Sequence, residues 1–173
     1  NLVSSSGVVA TDVTAVGTGR SSLAGCGYSS NKGIFGFGTT GSKTAVTNLV
    51  SNAGVVATDT TGVGTARSNL AACRYGEDKG IFGFGRTASY VGMTNLVSNA
   101  GVVATDVTAV GTARDQPAAC GYGEDKGIFG FGRTPDAGEP VSMTNLVSNV
   151  GVVASDVTGV GTARRGISAC SFN

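Results

Sequence analysis

The chain has no His and no Trp, only three Pro, and twelve basic against eleven acidic residues in a length of 173. Without His there is no His-assisted Ser or Cys nucleophile, no His-type zinc site and no haem held by His. A formal net charge of +1 leaves no electrostatic footprint for nucleic acid or an anionic membrane surface. No run approaches the ~18 uninterrupted apolar residues that a spanning helix requires. A signal-peptide pattern is also missing, and the first residue is Asn1, which reads as a processed product or a piece of something longer.

What is abundant is Gly, at 29 residues, and repetition. Asn-Leu-Val-Ser begins at Asn1, Asn48, Asn95 and Asn145, at intervals of 47, 47 and 50 residues. The same intervals separate Asp12, Asp59, Asp106 and Asp156, then Arg20, Arg67, Arg114 and Arg164, then Cys26, Cys73, Cys120 and Cys170. Residues 48–87 and 95–134 differ at 6 of 40 positions. The chain is therefore one repeat domain of four units, 1–47, 48–94, 95–144 and a shortened 145–173. The three extra residues of the third unit fall in the Pro-containing stretch between Arg133 and Val141, which must be a loop.

Each unit reads as strands. Ile81–Gly85 alternates Ile or Gly with Phe, predicting a strand with both Phe on one face. A strand over Leu70–Tyr75 precedes it across the Gly-rich turn 76–80, predicting a hairpin. A third strand is expected over 91–97 and a fourth over 102–105, beyond the turn 98–101. Four strands per repeat of this length predict an all-β propeller of four-stranded blades, with a β-solenoid or a stacked-sheet filament as the alternative. Phe supplies bulk to blade packing, while Gly36, Gly83 and Gly130 leave room for a neighbour.

The run Gly64-Thr65-Ala66-Arg67 through Cys73 to Gly85 resembles a kelch repeat: an Arg before the inner strand, small apolar residues within it, and a Gly-rich end to the second strand. Val141–Asn145 sits where the kelch third strand would be. The second strand ends in Gly-Phe-Gly rather than the usual Gly-Gly, and the Trp near the fourth strand is missing. The chain is also similar to degenerate kelch-like arrays in phage and environmental proteins. The resemblance implies a propeller, and the phage likeness a virion, tail-fibre or other extracellular setting.

Candidate chemistry is sparse. The four Cys lack the Cys-x-x-Cys spacing of thiolate cages and read as small buried hydrophobes, so no metal and no cofactor are expected. The isolated Asp residues lack the calcium-loop pattern and read as turn residues bonded to their own backbone, with the repeated Arg as a possible ion-pair partner. Glu77-Asp78-Lys79 and Glu124-Asp125-Lys126 read as solvated turns. Near-identical units argue against one asymmetric catalytic centre, so the chain is not expected to be an enzyme.

Diversity is confined to the triplets after each Arg and to segments 39–45, 86–92 and 133–142. In an antiparallel blade these connections emerge on one face. The expected binding residues are Ser22, Asn69, Gln116 and Arg165 from the triplets, with Tyr90, Asp136 and Glu139 from the longer loops. Function is expected to be non-catalytic recognition or structure, with a secreted carbohydrate-binding lectin or a filament subunit as alternatives. Expected partners are a glycan or surface protein, and further copies or chain segments that complete an open last blade beginning at Ala169–Phe172.

Overall fold

The computed structural model describes residues 1–108, 110–136 and 138–171. Among them it is all-β, with nine strands in three separate antiparallel sheets. The first holds β1 (Ala24–Tyr28), β2 (Lys32–Gly36) and β3 (Thr47–Val50) in that order. The second holds β4 (Ala71–Tyr75), β5 (Lys79–Gly83) and β6 (Thr94–Val97), and the third β7 (Ala118–Tyr122), β8 (Lys126–Gly130) and β9 (Thr144–Val147). The register repeats: Cys73 faces Ile81, which faces Leu96, as Cys26 faces Ile34 and then Leu49. The expected first three strands thus form in three repeats, with the third shortened to its last four residues.

The fourth strand is corrected. Residues 102–107 join β6 through two isolated bridges, Val97–Val103 and Thr94–Val107, and not as a continuous strand. The cause is a competing bond. The Asn95 side chain donates to the Ala104 carbonyl at 3.0 Å, taking an acceptor that a continuous ladder would use. The first strand of the fourth unit is a second correction. Ala169–Ser171 are not in a strand and Cys170 is exposed, whereas β1, β4 and β7 each pair with a hairpin partner. Phe172, the last residue of that expected strand, lies outside the described residues.

The sheets pack in chain order, β1 on β4 and β4 on β7. Two knobs fill two glycine sockets at each joint. Phe82 lies on Gly36, where an added Cβ would stand 2.9 Å from the ring, and Cys26 lies on Gly80, where it would stand 2.7 Å from the sulfur. The next joint repeats this with Phe129 on Gly83 and Cys73 on Gly127, at 2.7 and 2.8 Å. Gly is required at such positions because any side chain would hold the sheets apart. Burial pushes the Cys26 thiol up to about 12, and that of Cys73 upward too, so both remain protonated knobs at neutral pH.

The two Phe of each motif do not share a face. β5 ends at Gly83, and Phe84 has a left-handed backbone with φ of 63°, as do Phe37 and Phe131 at 63° and 64°. That turn sends Phe82 back toward the first unit and Phe84 forward toward the third. Phe37 meets Phe82 edge-on at 5.2 Å, and Phe84 meets Phe129 likewise at 5.2 Å. The alternation predicted for Ile81–Gly85 fails at its fourth residue because the chain has already left the strand.

Candidate recognition surface

The variable triplets are held from beneath by a polar latch. In the second unit Arg67, 0% exposed, donates from Nε to the Phe84 carbonyl at 2.9 Å and from Nη2 to Asn95 Oδ1 at 2.7 Å. Its Nη1 lies 3.8 Å from Asp106, and its guanidinium carbon stands 4.2 Å from the centre of the Phe37 ring in the first unit. Asn95 donates to Asp106 at 2.8 Å, and Asp106 accepts from the Thr65 hydroxyl at 2.6 Å and the Thr65 amide at 3.0 Å. Around Arg114, the residues Asn145, Asp156 and Thr112 repeat the Nη2, Asn and Asp bonds, with Arg114 over Phe84 at 3.9 Å, while the buried Arg114 Nε has no hydrogen-bond partner among the described residues. In the first unit Arg20, Asn48, Asp59 and Thr18 do so without a ring stacked on the Arg among the described residues.

The expectation that each Asp bonds its own turn backbone is therefore corrected. Asp59, Asp106 and Asp156 fasten segments 41, 41 and 44 residues earlier in the chain. The expected pairing with the repeated Arg is observed. A sequence signal existed: Thr, Arg, Asn and Asp are among the polar residues kept in every unit, and the 41-to-44 change matches the loop insertion between them.

Electrostatics follow from this geometry. Desolvation draws Arg67 and Arg114 down to about 10, with the adjacent Asp pulling the other way, so both stay charged at neutral pH. Hydrogen bonds from Thr18 and Asn48 hold Asp59 below the usual carboxylate range. For Asp106 and Asp156 partial desolvation opposes ionisation, and bonds from Thr65 with Asn95, or Thr112 with Asn145, overcome it. Folded carboxylates below their unfolded value of ~3.9 contribute stability above that pH and lose it as pH falls through the folded values. Thermal melts should give a Tm that is flat from about pH 7 to 5 and falls below about pH 4. In Asp106→Asn the Tm should start lower at pH 7 and fall less in acid.

Directly after each latch Arg come the triplets, and their backbones interlock. The Asn69 amide donates to the Ser22 carbonyl at 2.9 Å, the Gln116 amide to Asn69 at 2.8 Å, and the Gly166 amide to Gln116 at 3.2 Å. Ser22, Asn69 and Gln116 all have left-handed φ of 53–55°. Gly166, at 61°, is the fourth member of this row. Arg165 follows Arg164 directly and stands at the position of Ser21, Ser68 and Asp115. It is exposed, and its Nη1 donates to the Gly138 carbonyl at 3.2 Å.

The longer loops lie against the triplets through Ser21–Thr39–Lys43, Ser68–Arg86–Tyr90 and Asp115–Arg133–Pro140 bridges. Both sets of variable segments therefore meet along one side. Tyr90 is half-buried, with the Arg86 and Arg133 guanidinium carbons 5.2 and 5.6 Å from its ring centre. Arg133 also grips the fully buried Asp115 with two bonds of 3.1 and 2.9 Å. Arg86, Arg133 and Asp115 were missed as a group because their equivalents in the first unit are Thr39 and Ser21. Asp136 and Glu139 are exposed, and the Glu139 amide donates to the Asp136 carbonyl at 3.2 Å. Ala137, between them, lies outside the described residues.

The constant turns meet elsewhere. Asn99 donates to Asp78 and Asn149 to Asp125, each at 3.0 Å, and the Ser29 amide donates to the Asp78 carbonyl at 2.7 Å. These turns are joints between units, which corrects their reading as merely solvated. Bonds from Lys79 and Asn99 lower Asp78, as Lys126 and Asn149 lower Asp125.

Compared with known proteins, the chain matches no family model and no curated sequence.

Proposed function

We propose that the protein is a non-catalytic recognition module whose invariant latches and sockets hold a rigid array displaying one variable side. The observation that carries this reading is the meeting of triplets and long loops through the bridges at Ser68–Arg86–Tyr90 and Asp115–Arg133–Pro140. Tyr90, Gln116, Asp136 and Glu139 offer an aromatic, an amide and two carboxylates on backbone that the rest of the fold keeps constant. A pre-ordered surface loses less entropy on binding, and repeated weak sites gain avidity on one scaffold. The proposed architecture is a propeller of kelch-like blades, each sheet extended by its two-bridge segment, with the Cys-bearing strands inward. A cavity lined by Cys26, Cys73, Cys120 and Cys170 supports that register. The proposed setting is a virion, tail fibre or other extracellular surface, and the proposed ligand a glycan or surface protein.

The test is a graft read on a glycan array and a panel of immobilised surface proteins. Moving Asp115–Pro117 together with 133–142 into the second unit should change the binding profile, and Tyr90→Ala should reduce it. Exchanging Glu77–Lys79 for Ser30–Lys32 should leave it alone. The reverse pattern contradicts the assignment. A second reading, a filament subunit, draws support from Val8, Val55, Val102 and Val152, one per unit and each 63–65% exposed.

A further inference from the structure

The second and third units carry an Arg at the same point of the long loop, and only one of the two is paired. Arg86 bridges Ser68 and Tyr90 as Arg133 bridges Asp115 and Pro140. Arg133 is held by both carboxylate oxygens of Asp115, at 3.1 Å from Nε and 2.9 Å from Nη2, and that Asp is 0% exposed. At Arg86 the facing residue is Ser68, which has no charge to offer. Arg86 is exposed and forms no ion pair among the described residues. Its guanidinium carbon stands 5.2 Å from the centre of the Tyr90 ring, and that of Arg133 5.6 Å from the same centre. The loop closes on itself, the Thr87 amide donating to the Ser89 carbonyl at 2.9 Å and the Val91 amide to Gly85 at 3.0 Å, so Tyr90 is placed before any ligand arrives.

We propose that Arg86 is a carboxylate-binding site and that its ligand is an acidic sugar, a glycan residue carrying a carboxylate. The proposal rests on the reading of the variable side as a recognition surface and names the ligand class. The Asp115–Arg133 pair is the internal template, a planar carboxylate bonded to Nε and Nη2 together. Arg86 and Arg133 flank Tyr90 with only the Asp115 carboxylate between them, which leaves one positive charge and calls for one carboxylate from outside. Asp136 and Glu139 ion-pair with neither Arg among the described residues. A sugar fits better than an acidic peptide. The Asn69 and Gln116 amides are already bonded along the triplet row at 2.9 and 2.8 Å, so they offer no main chain to an added strand. Recognition falls to side chains: the Asn69 and Gln116 carboxamides, beside Ser68 and Asp115, and the Tyr90 hydroxyl. Each both donates and accepts, as sugar hydroxyls do.

Methyl β-glucuronide, a methyl α-sialoside and neutral methyl β-glucoside, each titrated into the full ¹⁵N-labelled chain, test it through amide NMR shifts. At least one acidic sugar should give saturable shifts at Asn69, Arg86 and Tyr90. The glucoside should bind about tenfold more weakly, the effect of losing one charge-assisted bidentate bond. Arg86→Gln should weaken the acidic sugar to the level of the glucoside without lowering Tm. Ser68→Asp, which copies the Asp115–Arg133 pair into the second unit, should block binding too, whereas Ser68→Ala should leave affinity within about twofold. Equal binding of acidic and neutral sugars, saturable shifts only away from Arg86, or indifference to Arg86→Gln would overturn the proposal. So would tighter binding of a blocked Glu-Glu-Glu peptide, since the site would then take an acidic protein segment. If the loop grafts change the array profile while both acidic sugars fail, this inference alone falls; if neither experiment responds, the recognition reading falls with it.

Discussion

Replacing Arg67 with Ala should lower stability by about 3–5 kcal/mol, the range for removing one partner of a buried charged network. The side chain is 0% exposed, and its loss unpairs Asn95 Oδ1 and the Phe84 carbonyl while removing the cation from Phe37. Unfolding in urea, with the midpoint and slope read together, measures it. Arg67→Lys should recover less than half, because an ammonium cannot make the Nε and Nη2 bonds together or stack as a plane. Arg20→Ala should cost clearly less, since Arg20 makes the Asn48 bond without a stacked ring among the described residues. Equal losses at Arg20 and Arg67 would mean that stacking between units contributes nothing.

The second large effect is at Phe82. Its ring is 0% exposed, fills the Gly36 socket and meets Phe37, so Phe82→Ala should cost about 3–5 kcal/mol, as buried Phe truncations do. Phe35 occupies the same place in an identical motif but is 44% exposed, with no other sheet packed on it among the described residues. Phe35→Ala should cost under about 1 kcal/mol, in line with half-exposed apolar groups. The pair separates sequence from context: one motif, one substitution, two outcomes. Comparable losses would show that the motif stabilises its own sheet and not the joint.

Much of this was legible from the repeat. The hairpin of β4 and β5 followed from a Gly-rich turn between apolar runs, and the socket role of Gly36 and Gly83 from their alternation with Phe. The path beyond Gly83 was not legible. A left-handed backbone at Phe84 runs against the preference of a bulky side chain, and it turns the ring toward Phe129 and Arg114. The 102–107 segment escaped for a similar reason, since its ladder is interrupted by the Asn95 side chain and not by its own residues. On the candidate surface, counting variability found the right segments. It could not see that Tyr90 sits between two Arg or that Gly166 continues the row of interlocked triplet backbones, because both depend on which backbones meet.

Hydrogen exchange on the unmodified chain tests most directly whether constant elements lock the units into one array. The amides of Asn69 and Gln116, with those of Gly38 and Gly85, donate to carbonyls of a neighbouring unit at 2.8–2.9 Å. The account predicts that these four exchange as slowly as amides within β5, because opening any of them requires a joint to part. Exchange at the rate of free loop amides, with β5 still protected, would mean that the sheets fold separately and the variable side is not pre-ordered.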